Sequence, residues 1–365
     1  MELLRLPLPT LPAAGQVTTF YSYKGGVGRT MALANLAVQL APYGGAPVLM
    51  VDWDLEAPGL HYYFPDAPEA PGVLELFEAC REQLERRAGG YDDSAALAEA
   101  VLDAVAWEQF LVRAHPHRPL WLLRAGRCDS SHAQRAAMLD WQAMFDACPA
   151  LFRVLAERLA RHFGQVLVDA RSGRADCAAI CTTLLPTRLV LVFAPNRQNL
   201  EGLEALVLRA TAYRLCHEDE QRPLLVYPLP SRIDGGDDAL RDLWRRGGAG
   251  GSIPGYQPLF ERVLAEAYGY PRLSMESYFD EVMLQHCPGM ACGEPMPALA
   301  EGDGDRLSLA RGYGAFLAWF RAGSCPWQAR PAAVTVGSQP RVLPLEQERA
   351  GYSRPRLTTA LPATT

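Results

Sequence analysis

The sequence predicts an α/β protein with a mostly parallel sheet flanked by helices. Three observations carry this: short apolar runs alternate with helical stretches, the first run opens through a glycine loop into an Ala/Leu-rich helix, and two further runs end in aspartate. The first strand is expected over Val17–Tyr23 and its helix over Met31–Leu40. Pro47–Val51 and Gln165–Val168 read as buried strands ending in Asp52 and Asp169. Leu120–Leu123, Thr187–Phe193 and Pro223–Leu229 are further strands, with helices at Leu151–Phe163 and Leu200–Leu215.

Between the second strand and Pro119 the pattern is helical, over Val73–Arg87 and Ala95–Val112, with a break at Ala88-Gly89-Gly90. It reads as a helical insertion at the sheet edge, about residues 61–118. The run from Arg245 to Gly255 is a glycine-rich loop, and Cys287–Gly304 is a second break. Helices return around them, so that about 237–325 forms a helical C-terminal part. In the last helix, Arg306–Arg321, Leu309, Tyr313, Phe316, Leu317 and Phe320 share one side, a stripe that favours core packing over membrane binding. One domain over 1–325 is expected, followed by a Pro/Ala/Thr-rich tail over 326–365 whose composition suits disorder.

Bulk composition narrows the function classes. An apolar fraction of 49% in 365 residues supports a substantial core, and a net charge of −6 gives no electrostatic reason for nucleic acid as the main partner. Nine scattered cysteines without a CxxC pair read as reduced thiols. The histidines do not cluster at ligand spacing, which argues against a metal site made of side chains alone. With neither a secretory leader nor an apolar stretch of about 18 to 20 residues, a soluble, cytoplasmic chain without a membrane anchor is expected.

The chemistry concentrates in Lys24-Gly25-Gly26-Val27-Gly28-Arg29-Thr30. A glycine loop before a helix aims backbone N–H groups at phosphate oxygens, and a hydroxyl in the first helical turn, here Thr30, is suited to Mg²⁺. Asp52 and Asp169, at two strand ends, are placed to hold the metal's waters from the other side. An ordinary Walker A loop reads GxxxxGK[ST]; here a lysine precedes the glycines and Arg29 takes the usual lysine position.

With YSYKGGVGRTMALANLA, VDWDLEAPGL, VLVDARSGRAD, FAPNRQNLEGL and PLPSRID in order, residues 17 to about 235 resemble the deviant-Walker P-loop ATPases of the SIMIBI class, in the ParA/MinD group and its KGGVGR-type branch. The resemblance implies Mg·ATP as ligand, with contacts from Gly25, Gly26, Val27, Gly28, Arg29, Thr30 and Met31. It makes Lys24 a signature lysine that reaches the phosphates of the opposite subunit in a nucleotide-dependent homodimer. It further implies Thr30, Asp52 and Asp169 at the metal, Asp54 orienting the attacking water, and Gly173 sensing the γ-phosphate. Lys24, Asp54 and Asp169 are thus the catalytic candidates. Arg232, in Pro230-Ser231-Arg232, is a candidate to flank the base, and Arg171, Arg174, Arg124 and Arg127 are weaker candidates, as readily solvated as functional. Asn196 and Gln198 match a block without an evident chemical role.

Arg29 departs from the pattern: arginine is planar, always charged and bulkier than lysine, so slow turnover is expected. The function implied is a switch ATPase that recruits or regulates a separately encoded effector, in a bacterial signalling or defence setting. A nucleotide-binding scaffold with negligible hydrolysis is one alternative. A DNA- or membrane-positioning ATPase is another, for which Leu240–Arg246 offers only a small basic cluster.

Overall fold

The alternation of strands and helices resolves into one sheet. The computed structural model describes residues 8–43, 45–217, 224–290, 292–300 and 308–328. In chain order these form β1 (Gln16–Tyr21), α1 (Arg29–Leu40), β2 (Val48–Asp52), α2 (Val73–Arg86), α3 (Ser94–Val105), β3 (Leu111–Arg113) and β4 (Leu120–Leu123). Next come α4 (His132–Ala137), α5 (Trp141–Ala147), α6 (Leu151–His162), β5 (Gln165–Asp169), α7 (Asp176–Ala179), a π-helical turn at Ile180–Leu184, β6 (Arg188–Phe193) and α8 (Arg197–Cys216). The last are β7 (Leu225–Pro230), α9 (Asp238–Arg246), α10 (Tyr256–Tyr268), α11 (Glu276–Glu281), α12 (Pro297–Ala300) and α13 (Leu309–Ala322).

The sheet has seven strands in the order β3-β4-β2-β5-β1-β6-β7, all parallel except β3, which runs antiparallel to β4 at the edge. The inner strands are mostly apolar because helices cover both faces, with polar residues chiefly at their ends and at Thr18 and Thr19 of β1; β2 is buried throughout and β6 nearly so. β1 lies between β5 and β6, with Phe20 opposite Asp169, and Asp52 is opposite Asp169 on the other side of β5. The ends of β1, β2 and β5 therefore meet at one edge, where the glycine loop leaves β1. Strand and helix together are the α/β architecture that the alternation predicts.

Several boundaries differ from the sequence reading. The helix expected over Ala95–Val112 stops at Val105, where Ala106 takes a left-handed conformation (φ 51°); a 3-10 turn at Trp107–Phe110 follows, then β3. Pairing of Leu111, Val112 and Arg113 with the open edge of β4 satisfies backbone groups that a longer helix would leave away from the sheet. α9 takes up Arg245 and Arg246, so the glycine loop begins only at Gly247. Short helices α4 and α5 occupy a stretch that the periodicity did not single out. α13 buries Leu309, Tyr313, Phe316, Leu317 and Phe320 in the core, as the stripe predicts. Pro223, Arg306 and residues 329–365 of the expected tail lie outside the described residues. At the start of that tail Trp327 packs on Tyr268, with ring centroids 5.0 Å apart. All nine cysteines are free thiols.

Close contact between α8 and the strand-to-loop junction helps position the glycine loop. A Cβ at Gly202 would lie 2.3 Å from the Tyr23 ring, one residue before Lys24. We expect Gly202→Ala to destabilise the fold by about 1–3 kcal/mol through this overpacking. Helix propensity alone would favour alanine by about 1 kcal/mol. Urea unfolding measures the sum, and a more stable variant would show that Tyr23 does not rest on this glycine.

Candidate phosphate-binding site

The loop between β1 and α1 is shaped by its glycines. Gly26 and Gly28 have positive φ (75° and 85°), a region closed to most residues with a Cβ. Gly28 is the N-cap of α1 and no side chain caps that end, so the first N–H groups of a 12-residue helix remain for an anion. Val27 is buried and its carbonyl accepts a hydrogen bond from Ser231 Oγ at 2.8 Å, which ties the loop to the end of β7. Gly25 and Gly26 are exposed, as is Lys24, which makes no hydrogen bond or ion pair with the described residues.

Behind the loop lies a buried charge cluster. Arg29 Nε donates to Asp169 Oδ1 at 2.5 Å and Arg29 Nη2 to Asp54 Oδ2 at 2.9 Å, while Thr30 Oγ1 donates to Asp169 Oδ2 at 2.7 Å. One guanidinium thus bridges two carboxylates that the sequence reading assigns to metal and water. Asp52, fully buried, accepts the backbone N–H groups of Asp54 (3.3 Å) and Leu60 (3.1 Å), folding the segment after β2 back over its strand end. Asp54 Oδ1 in turn accepts the N–H of Ala57 at 3.3 Å. His132 on α4 pins the same segment, with Nε2 2.8 Å from the Leu55 carbonyl.

Burial, followed by the negative charge of Asp169, raises the pKa of Asp52 above the carboxylate range. Burial also raises that of Asp169, against the opposing pull of Arg29. Burial disfavours the charge on Arg29, but Asp169 and then Asp54 more than offset it and hold the guanidinium ionised. The contact therefore favours the cation more than it relieves its partner Asp169, because that carboxylate also faces two others.

The remaining candidates fall around this centre. Gly173, with φ 82°, donates its N–H to the Ser22 carbonyl (3.4 Å) and accepts from the Tyr21 hydroxyl (3.0 Å), which places it beside the loop. Arg171 pairs with Glu56, Arg174 lies over the Tyr23 ring, and Arg124 is buried with a hydrogen bond to the Pro68 carbonyl, so it is not a solvated arginine. Arg127 offers its backbone N–H to Glu75. Asn196 caps α8 through its side chain, which supplies the structural role that its block lacked.

A cleft of about 60 Å³ opens next to the loop between Val27, Met31, Arg232, Leu284, Met290 and Tyr313. Arg232 is exposed and sits at φ 53°, a conformation that costs a non-glycine residue about 1–3 kcal/mol. The walls contributed by Leu284, Met290 and Tyr313 come from the C-terminal part, where the sequence offered no motif. Elsewhere, the cluster at Leu240–Arg246 is engaged within the chain: Arg245 pairs with Asp280 and Glu276, Arg246 with Glu276, and Arg241 with Asp238. Among the described residues no helix is long and apolar enough to cross a membrane, and no group of three or more His, Cys, Asp or Glu is placed to hold a metal.

A glycine loop joining a central strand to an uncapped helix, with two acid-ended strands side by side next to that strand in a mostly parallel sheet, is an arrangement suited to binding an anion. No family model matches the sequence, and no curated relative matches it. Solved structures do. The cell division ATPase MinD of Pyrococcus furiosus is similar at 18% identity and a TM-score of 0.48, over 85% of this chain and 100% of that one. A ParA family ATPase of Chlorobium tepidum is similar at 14% and 0.46, over 84% and 97%. Cobyrinic acid a,c-diamide synthase of Mycobacterium smegmatis, solved with ADP and magnesium, is similar at 16% and 0.49, over 87% and 100%. These are likenesses of fold; the chemistry of this chain is set by its own residues.

Two outcomes are expected from the charge cluster. Arg29→Met leaves buried carboxylates uncompensated and should cost about 3–5 kcal/mol at neutral pH. Arg29→Lys keeps the charge but lacks the fork that reaches both aspartates, so it should cost less. The raised pKa values of Asp52 and Asp169 fix the sign with pH. Their contribution is fully present below the unfolded carboxylate pKa of about 3.9 and is lost as pH rises through the folded values. The deficit of Arg29→Met should therefore shrink as pH falls toward 5. Chemical denaturation at several pH values reads both effects, and a deficit independent of pH would exclude this origin.

Proposed function

We propose that the chain is an Mg·ATP-binding, slowly hydrolysing switch ATPase that dimerises with nucleotide and recruits or regulates a separately encoded partner protein, acting in the cytoplasm of a bacterial signalling or defence system. One observation carries the reading: Arg29 holds Asp54 and Asp169 together behind an open glycine loop, while Lys24 stands free in front of it. A triphosphate entering the loop presents Arg29 with an alternative anion that matches its bidentate geometry. Arg29 would then give up the two carboxylates, and both the segment after β2 that carries Asp54 and the end of β5 that carries Asp169 would be reset by the presence of ligand. Met31 and Arg232 border the cleft that takes the base.

The donor set fits Mg²⁺ as a P-loop holds it. That ion keeps several waters and takes few protein ligands, so the hydroxyl of Thr30 with the carboxylates of Asp52 and Asp169 behind it is a sufficient set. When bound, the ion neutralises charge on the phosphates. Asp54, once released by Arg29, would accept a hydrogen bond from a water and so orient it. The Gly173 N–H, here on the Ser22 carbonyl, would have to leave that acceptor to reach a γ-phosphate. Exposed Lys24 lies on the same face, where it would meet a second copy of the chain rather than its own site.

A second reading, a nucleotide-binding scaffold with negligible hydrolysis, is favoured by the Arg29–Asp54 contact, since an arginine that stays on Asp54 keeps it from water. Turnover separates the two: phosphate release above background that Asp54→Ala removes, with nucleotide affinity little changed, supports the switch. The third reading, positioning on DNA or a membrane, has against it the internal pairing of Arg241, Arg245 and Arg246. DNA-binding and liposome-pelleting assays test it.

Dimerisation is tested by light scattering with a slowly hydrolysed ATP analogue, beside a nucleotide titration. Lys24→Ala is expected to abolish the dimer and leave binding to the monomer largely intact, whereas Arg29→Ala weakens binding itself. A wild type that stays monomeric with the analogue, or a Lys24→Ala that loses binding as severely as Arg29→Ala, would overturn the cross-subunit role.

A further inference from the structure

Away from the glycine loop, α5, α7, the π-helical turn and α8 enclose a cavity of about 380 Å³. Its walls are mostly apolar, with Trp141 and Phe145 from α5, Ile180 from the π turn, and Leu206 and Ala210 from α8, beside Gln142, Thr182 and Thr183. Trp141 is held rigidly, packing on Trp53 and Phe77 at ring-centroid distances of 5.8 and 5.1 Å. A π-helical turn widens the backbone here, with the Leu185 N–H reaching back to the Ile180 carbonyl at 3.2 Å; such turns are frequent at functional sites. The volume falls in the range of small-molecule clefts, about 300–1,000 Å³.

The mouth is charged. Arg174 and Arg209 line it together with Asp176. Among the described residues neither arginine pairs with a carboxylate: Arg174 lies over the Tyr23 ring, and Arg209 donates Nε to the Ala205 carbonyl of its own helix. Asp176 offsets one of the two cations, so a single positive charge remains at the entrance of an apolar cavity. We propose that this cavity is a binding site for a small amphipathic anion, with an apolar aromatic or acyl body seated against Trp141 and Phe145 and one anionic head at Arg174 and Arg209. The cavity borders the surroundings of the phosphate loop through Gly173 and Arg174, the latter lying over the Tyr23 ring.

The probe is 1-anilinonaphthalene-8-sulfonate, an apolar aromatic body with one negative charge, titrated into the full chain by fluorescence. Saturable binding of one molecule per chain is expected, displaced by decanoate but not by decylammonium. The double variant Arg174→Glu with Arg209→Glu should weaken it at least tenfold, and Ala179→Trp, at the exposed rim of the cavity, should block it while melting like the wild type. Non-saturable binding, equal displacement by the cationic amphiphile, or a double variant that binds as tightly as the wild type would overturn the proposal. Should Ala179→Trp melt early, the surface arginine variant decides alone.

Discussion

The buried guanidinium of Arg29 is the constraint on which the site depends. Three carboxylates, Asp52, Asp54 and Asp169, converge at the ends of neighbouring strands, and removing that much negative charge from water is costly unless a cation or a proton answers it. Arg29 is the cation supplied from within the chain. Its planar fork sets Nε on one acid and Nη2 on the other in a fixed geometry, where an ammonium would be a compact point charge. The positions of the segment after β2 and of the end of β5 are thereby coupled through one side chain at the start of α1.

That coupling gives the fold its functional logic. A parallel sheet whose strands end at one edge brings groups distant in sequence into contact, and Arg29 reaches across 25 residues to Asp54 and 140 to Asp169. The same edge carries uncapped helical N–H groups and an exposed lysine. Anion-binding donors and buried acids thus face each other across one arginine. The cavity beneath α8 lies one loop away, along the segment that begins at Gly173, so two sites of different chemistry share a wall.

Much of the architecture was legible in the sequence. Apolar runs of strand length, each followed by helical periodicity, give the sheet; the aspartates at their ends mark where it opens; and glycines at positive φ mark the loop. These are local signals, written in neighbouring residues. β3 was missed because its three residues continue a helical pattern and become a strand only by meeting the edge of β4. The short helices α4 and α5 were missed because fewer than eight residues give too little periodicity to detect. The cleft walls Leu284, Met290 and Tyr313 lie far along the chain from the loop, with no motif to link them to it.

The sequence by itself determined the α/β class, the order of the strands along the chain, the glycine loop and the identity of the acids near it, because each rests on periodicity, turn chemistry or residue type within a short window. Only the tertiary structure decided that Arg29 lies on Asp54 and Asp169, that the arginines of Leu240–Arg246 are neutralised internally, and that Trp141, Phe145 and α8 enclose a cavity. The physical reason is the same in each case. A charge or an apolar face takes its meaning from what stands opposite it, and what stands opposite is set by packing between segments rather than by the sequence around it.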